Sequence, residues 1–380
     1  MTGARRSVLL MGDTLNLGGT EGQFVELGRG LDRSRWLLHV ACVRAEGPLR
    51  ARLEQAGVEP WSCGGGSFLS PRFVTTVVRL ARRMRGLGVD LLHSFDFYSN
   101  VLAVPAARLA RVPVIIASQR DLGELRPRYQ HRVHAAVLDL ASHVLVNSTA
   151  VADRLQGTRA ARNGRLSVIY NGVDVTRFAP ASVDPGERTV VGVLASLRPY
   201  KGLLQLVEAA ADVIRALPRT RFEIWGEGPL RPELEARIQA LGLGHAIRLN
   251  GATKAPEDGL RRCHVFVHPS LSEASSNVVL EAMATGLPVV ATTAGGTPAL
   301  VEQGRSGLLV PPGDAGALAQ ALVSVLSDSA LAGRLATAAR SRAVTEFAMD
   351  RMLRRVEAFY LRALGLDTRA MMDVEATARP

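Results

Sequence analysis

Two glutamates, Glu273 and Glu281, stand with seven residues between them in SLSEASSNVVLEAMATG, where a paired carboxylate could serve a catalytic site. The interval alone decides nothing, because it recurs at Glu46/Glu54 and Glu227/Glu235. The surroundings are more informative. HVFVHPS reads as a short buried strand and NVVLEAMATG as a helix starting near Ser276 and ending at Gly286, with Ser275, Ser276 and Asn277 all suited to its N-cap. A helix that opens at the C-terminal edge of a parallel strand offers free N–H groups to an anion. Glu273 then falls in the loop before the helix and Glu281 in its second turn, between Leu280 and Ala282–Met283. An unpaired carboxylate there is costly and calls for hydroxyl or N–H donors, which a ribose diol would supply.

A second constellation is LASLRPYKGLLQLVEAAADV, in which a strand ends at Ser196, a loop carries Arg198 and Lys201, and a helix starts after Gly202. Lys201 and Lys254 are the two lysines of an arginine-dominated chain. An ammonium beside a guanidinium at a strand-to-helix junction suits a diphosphate. A third is LNLGGTEGQFVELGRGL: Gly18–Gly19 lets backbone approach a ligand, and Thr20 with Gln23 forms an expected capping box. The chain has no G-x-G-x-x-G, and GEGP (Gly226–Pro229) lacks the third glycine, which disfavours a dinucleotide site. It has no P-loop signature and no D-x-D, and His93, His134, His143, His264 and His268 lack metal-ligand spacing. No metal or other cofactor is expected.

These residues need strand ends to hold them, and the sequence provides many. Apolar runs alternate with helical patterns throughout: SVLLMG, LLHVACV, LLHSF, PVIIAS, HVLVNS and LSVIYNG, then TVVGVLAS, RFEIWG, IRLNG, HVFVHPS, PVVAT and GLLVPP. Such alternation predicts βαβ units and parallel sheets. A polar, Pro/Gly-broken stretch separates the two series. The expected organisation is an α/β chain of two doubly wound, Rossmann-like domains facing a cleft. The boundaries are 1–178, a linker 179–188, 189–348, a C-terminal helix 349–366 and a loose tail 367–380.

A chain of 380 residues, 47% hydrophobic and 21% charged, suits two folded domains. Cys42, Cys63 and Cys263 are scattered and read as buried thiols of a reducing compartment. ARRSVLLMGDTLN is too short in apolar residues for a secretory signal, and the longest apolar stretches are broken by Arg and Pro. A cytoplasmic, non-integral protein is expected. The net charge of +11 favours anionic partners. Nucleic acid is disfavoured, since the arginines of RLARRMRGLG lack interleaved aromatics. They point instead to a lipid-linked acceptor or peripheral contact with the inner face of an anionic membrane.

Taken in order, GGTEGQFVELGRGL, VIYNGVDVTRF, SLRPYKGLLQLVEAA, FEIWGEGPLRPELEARIQALGL, IRLNG, VFVHPSLSEASSNVVLEAMATGLPVVAT and GGTPALVEQGRSGLLVPPGDAGALAQAL closely resemble the GT-B-fold glycosyltransferases of family 4. The resemblance implies a nucleotide-diphosphate sugar held mainly by the second domain and an acceptor held mainly by the first. Glu281 would bind the ribose hydroxyls. Glu273, with the Ser275, Ser276, Asn277 and Val278 segment, would hold the transferred sugar and its phosphate. Lys201 would neutralise the diphosphate with help from Arg198. Gly19, Ser196 and Gly251 would flank the donor, Gly251 on the side of the base. The last helix would cross back to the first domain.

Three positions depart from the family pattern. Ser196 stands where an arginine is usual, Gln119–Arg120–Asp121 stands where many relatives carry an acceptor-side histidine, and Ala299 stands where a glutamate is common. The implied reaction is metal-independent transfer of a hexosyl group, with retention, to a hydroxyl of a glycan, glycolipid or small molecule. A nucleotide-sugar epimerase, a phosphorylase or a non-catalytic nucleotide-sugar-binding protein would use the same scaffold.

Overall fold

The computed structural model describes residues 5–64, 70–124, 126–180 and 189–366. The expected linker from 181 onward and the tail 367–380 lie outside the described residues. The chain divides into two compact units, Met1–Asn171 with Asp350–Pro380, and Gly172–Met349.

The first unit holds a parallel sheet of seven strands in the order β3-β2-β1-β4-β5-β6-β7. They are β1 (Arg6–Gly12), β2 (Trp36–Cys42), β3 (Trp61–Ser62), β4 (Leu91–Phe95), β5 (Val114–Gln119), β6 (His143–Val146) and β7 (Leu166–Val168). The central strands are apolar runs without alternation because helices cover both faces: every residue of β4 and β5 is buried. The two-residue edge strand β3 is too short to carry a sequence pattern. The second unit repeats the plan with six strands, β10-β9-β8-β11-β12-β13. They are β8 (Thr189–Leu194), β9 (Thr220–Trp225), β10 (Ile247–Gly251), β11 (Val265–His268), β12 (Val289–Thr292) and β13 (Leu308–Val310). Strand order reverses at β1/β4 in one sheet and at β8/β11 in the other. Loops leaving adjacent strands in opposite directions open a crevice at each of these places, where ligands of α/β proteins bind.

The division falls at Asn171/Gly172 rather than at 178, and hydrogen bonding explains why. The Val173 N–H donates to the Phe347 carbonyl and its own carbonyl accepts from Met349, at 2.8 Å each. Asp174 Oδ1 accepts from the N–H groups of Thr176 (3.0 Å) and Arg177 (2.9 Å). The Arg340 guanidinium donates to the carbonyls of Val175, Phe178 and Ala284. GVDVTRF, Gly172 to Phe178, is therefore a structural strap of the second unit.

The helix Met349–Ala363 returns to the first unit from Asp350 onward. Tyr360, fully buried, places its hydroxyl 2.6 Å from His93 Nδ1. Glu357 Oε1 accepts from the Asp32 N–H (2.8 Å) and Trp36 Nε1 (3.1 Å). All three cysteines are buried, and burial pushes each thiol up to about 12. Among the described residues, no single helix is long and apolar enough to cross a membrane.

Candidate active site

In the second unit the β8/β11 crevice is built by two loops stitched together by backbone. The loop after β8 passes through a short helical turn, Pro199–Lys201, and ends at Gly202. The Tyr200 carbonyl accepts from Leu271 N–H at 2.8 Å, drawing in the loop after β11. Gly202 has φ +66°, and a side chain there would collide with the Pro269 carbonyl. Gly226 and Gly228 pack as closely against the carbonyls of Ala195 and Leu197. The two glycines of GEGP therefore seat the loop that begins at Ser196. The Gly226 N–H in turn donates to the Gly251 carbonyl at 2.8 Å, which aligns the end of β10 with this loop.

This stitching sets Lys201 against Glu273. Nζ donates to Oε2 at 2.6 Å, with side-chain exposures of 17% and 13%. His268, the last residue of β11, places Nε2 3.4 Å from the same oxygen. Burial pushes the Glu273 carboxyl up, but the His268 contact and the Lys201 charge prevail and hold it down at about 2. Glu273 is thus an anion at any physiological pH. Its carbonyl accepts from the Gly296 N–H at 2.9 Å, which ties GGTPA to the same loop.

Three residues on, the helix Asn277–Ala284 begins with Ser276 as N-cap, its Oγ accepting from the Val279 N–H at 3.3 Å. Ser275 Oγ, Ser270 Oγ and Thr297 Oγ1 are buried with no hydrogen-bond partner among the described residues. Such groups are rare in folded proteins unless a ligand or water meets them. Glu281, four residues into the helix, is half-buried. Burial pushes its carboxyl up to about 8, the Arg177 guanidinium pulling down and Glu257 pushing up. Arg177 is committed to Glu257 at 2.8 Å, and among the described residues no donor bonds the Glu281 carboxylate.

By contrast, the identical interval at Glu227 and Glu235 lies on the surface, both carboxylates pairing with Arg231 at 3.0 and 2.8 Å. Environment, not spacing, separates the two pairs. Arg198 is exposed and bonds no side chain among the described residues. Val278 follows Asn277 in the first turn, and Ser196 is exposed at the loop's start. No group of three or more His, Cys, Asp or Glu side chains could hold a metal ion among the described residues.

In the first unit the β1/β4 crevice is lined by acids and arginines. The helix Gly19–Gly30 takes Gly18 as its N-cap, so Thr20 does not form the capping box expected with Gln23. The helix starts two residues early, which places Thr20 inside the first turn; its Oγ1 reaches Asp96 Oδ2 at 3.4 Å instead. Asp13 Oδ1, just past the end of β1, accepts from the Ser99 N–H at 2.6 Å in the first turns of the helix Asp96–Ala110. Asp96 itself has φ +66°, a conformation that is uncommon for a residue with a side chain. Its Oδ1 accepts from the Arg120 N–H and from Arg126 Nη2, both at 3.3 Å. Burial pushes Asp13 up to about 6 and Asp96 up to about 7.

Gln119 ends β5 and donates to the Asp121 carbonyl at 3.0 Å, while Asp121 pairs with Arg126 at 2.8 Å. The Arg120 guanidinium bonds Asn171 Oδ1 and lies 5.2 Å from the Phe95 ring. Asp13, Asp96, Arg126, Arg177 and His268 were not singled out for a site from sequence. Asp13, Asp96 and His268 sit at strand ends and Arg177 in a motif already visible, but the partners of each come from distant segments, and Arg126 lies in a loop without a signature.

The sequence profile described as Glycosyltransferase Family 4 matches residues 17–177, and that described as Glycosyl transferases group 1 matches residues 188–328. A D-inositol 3-phosphate glycosyltransferase of Arthrobacter sp. is 31% identical over 70% of this chain and 69% of its own. The enzyme of that name from Corynebacterium urealyticum is 32% identical, and the matched region is 65% of each chain, a little under two thirds of the relative's length. Among solved structures, Anabaena HepE in complex with UDP superposes with a TM-score of 0.81 at 25% identity, over 93% of this chain and 99% of that one. The same protein in complex with UDP-glucose gives 0.80. The chain belongs to the group 1, family 4 glycosyltransferases, with their two-sheet GT-B fold.

Proposed function

We propose that the protein moves a hexosyl group from a uridine-diphosphate sugar to an acceptor hydroxyl, with retention and without a metal ion. The observation that carries this is the arrangement in the second unit. An ammonium, a helix N-terminus and an ionised glutamate meet at the sheet's reversal point, and a carboxylate with no donor of its own stands one turn further along. Breaking the sugar–phosphate bond builds positive charge on the ring and negative charge on the diphosphate, so a site that favours the leaving group more as it departs speeds the step. Lys201, the N–H groups of Ser276 to Val278 and the exposed Arg198 are suited to the diphosphate. Glu281 suits the ribose diol, Glu273 the sugar, and Gly251 the flank of the base. UDP and UDP-glucose in the HepE structures support uridine as the base. With no protein nucleophile assigned, the acceptor attacks the face the phosphate leaves, and the departing phosphate oxygen takes its proton.

The acceptor belongs to the first unit, on the side of Gln119, Arg120 and Asp121 at the end of β5, while Gly19 serves the donor. Peripheral contact with an anionic membrane rests on the net charge of +11. The RLARRMRG arginines add little, since three are engaged within the fold. Arg79 donates to the Cys63 carbonyl at 2.7 Å, Arg83 lies 3.6 Å from the Trp61 ring centroid, and Arg85 bonds the Leu109 carbonyl.

A thermal-shift panel of UDP-, GDP- and ADP-sugars tests the donor, since a ligand of the folded state raises its melting point. Uridine sugars should give the largest shift. Turnover with the best donor and a hydroxyl acceptor panel should survive EDTA and yield the donor's anomeric configuration. Inverted product, or loss of turnover with EDTA, would overturn the mechanism. Epimerised nucleotide sugar formed without acceptor would select the epimerase.

A further inference from the structure

Strand β11 ends on a histidine that the reaction above leaves without a task. His268 is 1% exposed, and its ring lies nearly parallel to that of Phe266 at 6.5 Å. The rest of β11, Val265 to Val267, is apolar and buried, and an apolar side chain would complete it without burying two ring nitrogens. Neither nitrogen has a well-aligned hydrogen-bond partner among the described residues, and Glu273 Oε2 lies 3.4 Å from Nε2. Burial holds the imidazole below its ordinary range, with Glu273 pulling the other way, so the ring is neutral at physiological pH and carries one N–H. The carboxylate 3.4 Å from Nε2 favours placing that hydrogen on Nε2.

Glu273 sits in a loop, and a single ion pair to a long lysine does not fix the plane of its carboxylate. Lys201 at 2.6 Å and His268 at 3.4 Å both address Oε2, whereas Oε1 accepts nothing among the described residues. We infer that His268 is a positioning residue for sugar recognition: with Lys201 it clamps Oε2 of Glu273 and turns Oε1 toward the transferred hexose. This rests on the donor-site reading above. It separates two jobs within one site, because His268 then serves the sugar and not the nucleoside diphosphate.

Calorimetric titration of UDP and of UDP-glucose into the wild type, His268→Leu and His268→Gln tests it. For His268→Leu, UDP affinity should stay within about twofold while the Kd ratio of UDP-glucose to UDP rises about tenfold, as expected for one lost hydrogen bond to a charged group. His268→Gln, whose amide N–H can reach the same oxygen, should restore most of the wild-type ratio. An unchanged ratio in His268→Leu overturns the inference, and so does equal impairment of both variants, which would mean the ring only fills space. If His268→Leu does not fold, the comparison passes to His268→Gln against His268→Asn, whose amide is too short, with the same outcomes. Failure of the wild type to bind UDP and UDP-glucose would instead sink the donor-site reading, and this inference with it.

Discussion

Glu281 is a carboxylate at odds with its surroundings, and that conflict is testable. Its carboxyl is raised to about 8 in the fold against an ordinary 4.5. A raised acid binds its proton more tightly folded than unfolded, so the ionised form costs stability. The sign follows: the cost is absent below about 4.5, grows as pH rises, and is complete near 8. Glu281→Gln should therefore melt with the wild type at pH 4.5 and roughly 2–4 °C above it at pH 8. The same variant should bind UDP more weakly. Diol donors favour the carboxylate, so UDP binding to the wild type at pH 7 should release a proton. Calorimetry in two buffers of different ionisation enthalpy should show this release, and Glu281→Gln should abolish it. A variant no more stable at pH 8 that still releases a proton would remove Glu281 from the site.

At the scale of elements, glycine and loop chemistry decide whether the cradle forms. Gly202 and Gly57 both adopt positive φ, +66° and +71°, but only Gly202 has neighbouring atoms that a side chain would strike. Gly57→Ala should cost about 1 kcal/mol from backbone strain, and Gly202→Ala about 2 kcal/mol or more because Pro269 must also move. Urea unfolding of both would check this, and equal costs would mean that the stitched loops are not tightly coupled. The sequence showed most of the elements, because buried parallel strands are short apolar runs and the helix after Ser276 has clear start and stop residues. It also made Lys201, Glu273 and Glu281 stand out, since each follows or lies within a strand-to-helix junction. Residues whose roles depend on distant partners were not legible. Arg177 meets Glu257, His268 meets Glu273, and Thr20 prefers Asp96 to a local cap. No local pattern encodes such pairings.

At the scale of the whole molecule, the first unit depends on the last helix of the chain. Tyr360 is fully buried, edge-on to Trp36 at 5.7 Å and 2.6 Å from His93 Nδ1, whose Nε2 lies 2.7 Å from Ser118 Oγ. Tyr360→Leu leaves His93 without that partner and a void beside Trp36, and should lower stability by about 2–4 kcal/mol. Because Lys201, Glu273 and Glu281 of the proposed donor cradle all lie within Gly172–Met349, UDP affinity of the folded variant should remain within about twofold of the wild type. A parallel loss of UDP binding would show that donor binding draws on the first unit.

Lys201 and its helix-tip neighbours are the proposed grip on the diphosphate of an activated sugar. Calorimetric titration of UDP-glucose into the wild type and Lys201→Ala tests it most directly, with circular dichroism confirming that the variant is folded. The wild type should bind, and the variant should lose on the order of a hundredfold, about 3 kcal/mol. Equal affinities for the two proteins would contradict it.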